Sequence, residues 1–394
     1  MSVLYFDILE EGAADVRTDE VNVLVLVEEY PDGHGKINRM YVHTRNKYYR
    51  EHGVNVTVLC SRASDNYVLD GVPVITPEQY EREHKKYDVL VCHAPHLRKH
   101  YPFLIKHGKE FPKFVFFFHG AEVKKRIKKE SDVPAYSYCK RHGIKRFAIE
   151  AALNIFDNFK LFVWRHYLPR VISKSTLVFV SRSLRDEFLF YTKIPFDAIK
   201  DSYVIIHNGV ERPFEEAAYD WDAPKTYDFI TVRGILDGWH YSIDIVNELA
   251  KNNPEMKFLV VGKGQFFHYN EKAPNIEWKD QTMRHEEIVG WLQKARCALM
   301  PTREDTQGLM SCEMASIGMP LITSDIPVCH EVFGDFDNVT LIDNENTRID
   351  LNDICRALEK KEPFAENDRY YAVNTIVREV DLIKRLGRPE ARGE

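Results

Sequence analysis

Several of the longest apolar runs in this 394-residue chain end in residues that can do chemistry. FVFFF (114–118) runs into His119-Gly120-Ala121-Glu122, YVII (203–206) into His207-Asn208-Gly209, and YDFITV (227–232) into Arg233. FLVV (258–261) is followed by Gly262-Lys263-Gly264, and CALM (297–300) by PTREDTQGLMSCEMASIG, which carries Asp305, Gly308, Leu309 and Glu313. A histidine at such a place can bind a sugar hydroxyl or move a proton. Glycines let backbone approach a base or a phosphate, and carboxylates accept paired hydroxyls. Asp305 and Glu313 are eight apart, one in a loop and the other about a turn inside a helix, so both can face one crevice. Val21–Val27 leads into a loop with Gly33 and Gly35 before a helix, where backbone amides and the helix dipole suit a phosphate or a sugar. Each feature also has a plainer reading: a tight turn at Gly35, a structural histidine at 119, an Asn-Gly turn at 208, a loop acid near a helix start at 305.

The runs themselves recur regularly: Val21–Val27, Val54–Cys60, Tyr87–Cys92, Phe114–Phe118, Thr176–Val180 and Tyr203–Ile206, then Tyr227–Val232, Lys257–Val261, Cys297–Met300, Pro320–Thr323 and Val339–Ile342. Continuous β-branched runs suit parallel strands buried on both faces. Helix-sized stretches such as Arg39–His52, Ile243–Asn252, His285–Ala295 and Ser311–Ile317 alternate with them, which predicts a doubly wound α/β architecture. In such sheets ligands lie outside the carboxyl ends of the strands, where the chemistry-bearing residues stand. The break falls at Arg212–Lys225, giving domains over residues 1–212 and 213–367, with a C-terminal helix at about 368–386 free to pack back on the first.

Composition excludes several classes. A charge of −6, with 44% hydrophobic and 29% charged residues, fits a globular protein and not a disordered or uniformly basic one. The seven cysteines show no C-x-x-C pairing and read as reduced core thiols of a cytoplasmic protein, not a disulfide framework or zinc site. No run approaches the roughly 20 apolar residues of a spanning helix.

Taken together, strand-HNGV, strand-Arg233, strand-GKG and the block Thr302–Asp325 resemble the retaining glycosyltransferases of family 4. The resemblance covers about Val21 to Leu386 and is most specific in that block; it implies a GT-B fold, two Rossmann-like domains facing across a cleft. It also implies that Glu313 holds the donor ribose, that Asp305 contacts the transferred sugar in place of the family's first Glu, and that Arg233 grips the diphosphate. On the same resemblance His119 lies near the reacting sugar, Gly35 under acceptor and diphosphate, and Gly262, Lys263 and Gly264 by the base, with Gly308 and Leu309 in the signature loop. Where the family has a lysine after its arginine this chain reads DGWHYS, leaving His240 nearest. The implied reaction is metal-free and cofactor-free transfer from a nucleotide-diphosphate sugar, UDP-sugar favoured, with retention. Two other readings stay open: an impaired GT-B subunit that binds or scaffolds a partner glycosyltransferase, and another GT-B enzyme such as an epimerase or phosphorylase.

Residues Val123–Lys174 hold thirteen Lys and Arg against four Asp and Glu, a local +9 that leaves −15 elsewhere. Lys124, Lys125, Arg126, Lys128, Lys129, Arg141, Lys145, Arg146 and Arg165, with Trp164 and other aromatics interleaved, suit an anionic membrane surface. The alternative is solvated helices whose aromatics are core. No nucleic-acid motif accompanies the charge. The expected acceptor is a lipid-linked saccharide or glycan, met by a peripheral protein at the inner face of the cell membrane.

Overall fold

The computed structural model describes residues 20–32, 39–125, 143–361 and 363–388, the side chains of 143–150 excepted. Two parallel sheets organise them. The first has the order β3-β4-β2-β1-β5-β6-β7-β8: β1 Val21–Val27, β2 Val54–Cys60, β3 Tyr67–Leu69, β4 Val72–Ile75, β5 Val89–His93, β6 Lys113–Phe118, β7 Ser175–Phe179 and β8 Tyr203–Ile205. The second has the order β11-β10-β9-β12-β13-β14: β9 Tyr227–Ile235, β10 Phe258–Lys263, β11 Ile276–Lys279, β12 Ala295–Leu299, β13 Leu321–Ser324 and β14 Val339–Ile342. Every pairing is parallel except the β3–β4 hairpin. The chain is therefore α/β with two doubly wound parallel-sheet domains.

Alternate residues of each strand feed opposite cores. In the first domain Leu24, Leu90, Phe116 and Phe179 face α3 (His100–His107), α4 (Gly143–Val171) and α5 (Arg182–Thr192), with Trp164, Leu184 and Phe188 against them. Val23, Val25, Val91 and Val115 face α1 (Met40–Glu51) and the last helix, Ile376–Gly387, which returns across the molecule to the first sheet. The second domain repeats the scheme, with Ile230, Leu259 and Ala298 toward α10 (Leu309–Ser316) and α11 (Pro327–Phe333), and Phe229, Val260 and Leu299 toward α7 (Ile243–Asn252) and α12 (Leu351–Glu359). We number that last helix α13, with α2 at Pro77–Glu83, short turns α6 at Arg212–Glu215 and α8 at Phe266–Tyr269, and α9 at His285–Leu292.

Strand order reverses between β1 and β5 in the first sheet and between β9 and β12 in the second. Crevices outside the strand ends open at such reversals. His93 and Arg233 stand there, at the carboxyl ends of β5 and β9, and the loop after β12 begins beside Arg233. The six cysteines among the described residues, Cys60, Cys92, Cys297, Cys312, Cys329 and Cys355, are buried free thiols.

Candidate active site

In the second domain the site is built round Arg233. Its Nη2 donates to the Pro301 carbonyl at 2.8 Å, its guanidinium carbon lies 5.5 Å from the centre of the Tyr241 ring, and 9% of it is exposed. Burial pulls its pKa down against the pull of Asp305 and Tyr241, and its Nε is buried with no hydrogen-bond partner among the described residues. Gly262 makes this packing possible: a Cβ there would lie 2.4 Å from the Arg233 carbonyl oxygen, and its φ is 153°. Gly262→Ala is expected to cost about 1–3 kcal/mol in thermal or denaturant melts by overpacking, and to shift Arg233 enough to weaken donor binding in a calorimetric titration.

Asp305 sets the loop that follows. One of its oxygens, Oδ1, accepts from the backbone N–H groups of Thr306 (2.7 Å), Gln307 (3.2 Å) and Gly308 (2.8 Å), just ahead of α10. Gly308 takes a left-handed φ of 73°, and Leu309 opens the helix. Asp305 thus folds the loop that leads into α10, and its charge also bears on Arg233, His240 and Tyr241. His240 is partly buried, and burial lowers its pKa despite Asp305 and Glu304, so near neutral pH the ring adds no charge. Lys263 is exposed at the end of β10, and the Gly264 N–H meets Asp280 at 3.4 Å.

Glu313 is 1% exposed on α10 and accepts one long hydrogen bond, 3.4 Å, from the Glu211 N–H. Burial first, and the Glu211 charge second, push its carboxyl well above the usual range. A raised folded-state pKa means stability is fully present below the unfolded value and is lost as pH rises through the folded one. Glu313→Gln should therefore melt at the same temperature as the wild type near pH ~4 and higher at pH ~8, by about 2–4 °C per kcal/mol relieved. Equal melting at both pH values would contradict the burial argument.

On the facing domain His119 follows β6. Glu122 folds the turn by accepting from the N–H groups of Gly120 (2.7 Å) and His119 (3.2 Å). The His119 ring meets Tyr41 edge-on at 4.9 Å between centroids, and its Nε2 lies 3.3 Å from His93 Nδ1. Burial holds both imidazoles well below their ordinary pKa, so the pair is neutral. His93 was not foreseen; it ends an apolar run, and extending the strand-end rule from Cys92 to the next residue finds it.

Contacts beside the Asp305 loop draw the halves together. Asn208 and Gln307 exchange hydrogen bonds, N–H to Oε1 at 2.6 Å and Nε2 to the carbonyl at 2.9 Å. Lys124 meets Glu304 at 3.2 Å and pairs with Glu187. A Cβ at Gly120 would lie 2.8 Å from Thr306 Cγ2. These contacts bring Gly120, beside His119, and Asn208 against the loop that holds Asp305, while Arg233, His240 and Gly262 stand behind that loop in the second domain and Gly35 lies outside the described residues. Among those residues no group of three or more His, Cys, Asp or Glu side chains is placed to hold a metal ion.

The solved structures that resemble this one share that two-domain layout. A glycosyltransferase from Rickettsia africae superimposes with a TM-score of 0.63 at 12% identity, over 94% of this chain and 99% of that one. WaaG, a glycosyltransferase involved in lipopolysaccharide biosynthesis, gives 0.59 at 14% over 92% and 99%, and the catalytic domain of starch synthase IV from Arabidopsis thaliana, bound to ADP and acarbose, gives 0.59 at 11% over 93% and 99%. The fold is that of the GT-B glycosyltransferases. Residues 230–360 also match the family model described as glycosyl transferases group 1, a span that runs from just before Arg233 to past Glu313. No curated protein matches the chain.

Two residues of the basic segment lie elsewhere than expected in this GT-B chain. Trp164 is fully buried, edge-on to Tyr101 and Tyr167, and belongs to the first-domain core. Lys124 is 7% exposed, held between two carboxylates at the domain seam. Arg165 is exposed and Lys125 partly so. Arg126, Lys128, Lys129 and Arg141 fall outside the described residues, and the side chains of Lys145 and Arg146 are among those not described. The outer face of α4 carries large apolar side chains among polar ones: Ile155 is 70%, Phe159 57% and Phe162 58% exposed, and Phe190 of α5, at 63%, joins them. No helix among the described residues is long and apolar enough to cross a membrane.

Proposed function

We propose that this chain is a metal-independent, retaining glycosyltransferase that moves a hexosyl or N-acetylhexosaminyl group from a nucleotide-diphosphate sugar, UDP-sugar favoured, to a hydroxyl of a lipid-linked or glycan acceptor in cell-surface polysaccharide biosynthesis. The observation that carries this reading is the buried Arg233 guanidinium at the strand-order reversal of the donor sheet, with an unpartnered Nε and the Asp305 loop beside it. A low-dielectric cleft makes such a cation most effective where charge develops, on the departing diphosphate.

In the step itself the bond from the anomeric carbon to the diphosphate oxygen breaks with its electron pair going to phosphate. The acceptor oxygen bonds the same carbon from the same face, and the acceptor proton passes to the departing phosphate. Arg233 neutralises the leaving group, and Asp305, by tying together the backbone N–H groups of Thr306, Gln307 and Gly308, holds that loop against the sugar. Glu313, a buried carboxylate with acceptor capacity beyond its single long hydrogen bond, suits the ribose hydroxyls. His119 is neutral and so serves as a hydrogen-bonding partner for the sugar, not as a cation. The seam contacts exclude water from the reacting sugar.

The test is release of nucleoside diphosphate from a panel of UDP-, GDP- and ADP-sugars, with product anomers read by NMR. Turnover of one donor with retained configuration is expected. Donor binding without turnover across all acceptors would instead assign the chain to the scaffold class.

The exposed apolar side chains of α4 support membrane docking on the acceptor side. Lys125, Phe162, Arg165, Phe190 and Lys193 line a groove of about 420 Å³ there, and the Lys193 ammonium sits 4.3 Å from the centre of the Phe190 ring. Exposed aromatics beside basic groups match an anionic lipid interface. Flotation with vesicles containing phosphatidylglycerol should carry the protein at low salt and release it at ~0.5 M salt, where the screening length falls to about 4 Å. Absence of binding at low salt removes the membrane from the reading.

A further inference from the structure

Arg45 of α1 is 2% exposed, and two of its partners, Tyr41 and Asn208, lead toward the seam. Its Nε donates to both carboxylate oxygens of Glu379 on α13, at 3.1 and 3.2 Å, and the Tyr49 hydroxyl donates to the same carboxylate. Its Nη1 donates to the Tyr41 carbonyl at 3.0 Å and its Nη2 to Asn208 Oδ1 at 2.7 Å. Glu379 is itself fully buried. Removing two such charges from water costs several kcal/mol per ion, and a pair of apolar side chains would close the α1–α13 contact more cheaply. What apolar side chains lack is direction, and the direction here is toward His119.

Two routes lead there. An arginine can only donate, so the Asn208 carbonyl oxygen is fixed toward α1, and the amide stands against the His119 ring. The main chain of Asn208 is meanwhile locked on Gln307, two residues after Asp305. The second route runs through Tyr41: the Arg45 guanidinium carbon lies 5.7 Å from the centre of its ring, and the ring meets His119 edge-on. His93 closes a third side of the imidazole.

We propose that Arg45, anchored by Glu379, is a positioning residue that orients the His119 ring and seats the Gln307 loop across the domain seam. Its effect on turnover rests on the transferase reading above; its effect on the ring does not. Arg45→Lys separates anchoring from positioning, because one ammonium can meet Glu379 but cannot also span to Asn208 and the Tyr41 carbonyl. Histidine-ring ¹⁵N NMR reads the geometry directly. In the wild type His119 and His93 should each hold a single neutral tautomer from pH ~5.5 to ~8, since burial opposes protonation. In Arg45→Lys the His119 signals should move toward an averaged tautomer. With an active donor kcat should fall tenfold to about a hundredfold, as for a misplaced catalytic group, while the donor KM stays within about twofold. Asn208→Ala should reproduce the ring change with the Arg45–Glu379 pair intact, and it carries the test if Arg45→Lys fails to fold. Unchanged ring signals in a folded variant, or a lowered Tm with unchanged kcat, overturn the proposal. If the wild type turns over no donor, the transferase reading falls and the ring signals alone decide.

Discussion

Arg233→Ala should lower kcat about a thousandfold with the fold intact. Removing one preorganised group that stabilises developing charge costs roughly 10²–10³ in rate, about 2.7–4 kcal/mol, and the neighbours of Arg233 offer little compensation. His240 is held neutral by burial, and Lys124 is engaged by Glu304 and Glu187. Stability should change little or rise, because a buried cation whose pKa burial already depresses is taken away. Single-turnover kinetics on the best donor check the rate, and a melt checks the fold. Arg233→Lys should recover only part of the loss, since a point charge replaces a fork. A kcat within threefold of the wild type in Arg233→Ala would move the diphosphate elsewhere in the cleft.

Trp164→Ala should destabilise the first domain by about 3–5 kcal/mol, the range for emptying a buried indole site. The indole lies within the cluster of Phe114, Phe116, Tyr167 and Leu168 that fills the space between the first sheet and α4. Its N–H is buried with no hydrogen-bond partner among the described residues, so Trp164→Phe discards an unsatisfied donor while keeping most of the volume, and its cost should stay under about 1.5 kcal/mol. Denaturant melts separate the two variants. Vesicle binding separates core from membrane roles: Trp164→Phe should float like the wild type, whereas Phe159→Ser with Phe162→Ser should lose flotation at unchanged stability.

Most of the sheet was legible because buried parallel strands write themselves as unbroken apolar runs, and all eleven runs are strands in the structure. What escaped lacks that signature. In β3 and β4 the runs are three and four residues long, joined by Asp70-Gly71 with φ of 46° and 78°, a left-handed pair that the Asp-Gly dipeptide announces. In β11, IEWK is half polar because it lies at the sheet edge. Strand-end logic brought out His119, Arg233 and the Asp305 loop, but it works locally. The pairings that make the seam join residues 99 and 180 positions apart, Asn208 with Gln307 and Lys124 with Glu304, and no spacing rule reaches so far. The charge count over 123–174 had the same weakness: it tallied Lys124 and Lys160 with the surface, although Lys124 lies in the seam and Lys160 is buried against Asp157 and two carbonyls. Sequence totals record how much charge a segment holds and not which way it faces.

The return of α13 to the first sheet has a consequence for synthesis. The valine face of β1 and β5 is covered in part by Ile376, Val380 and Ile383, which leave the ribosome 171 to 178 residues after β8 ends at Ile205. At roughly 5–20 residues per second that is a delay of about 10–30 s, during which α1 alone covers that side of the finished sheet and Arg45 lacks the Glu379 carboxylate. The second domain, whose strands lie wholly inside that interval, can close first. The order of completion is thus the reverse of the order of translation at its last step, and the nascent first domain is the stage at which this chain most needs a chaperone.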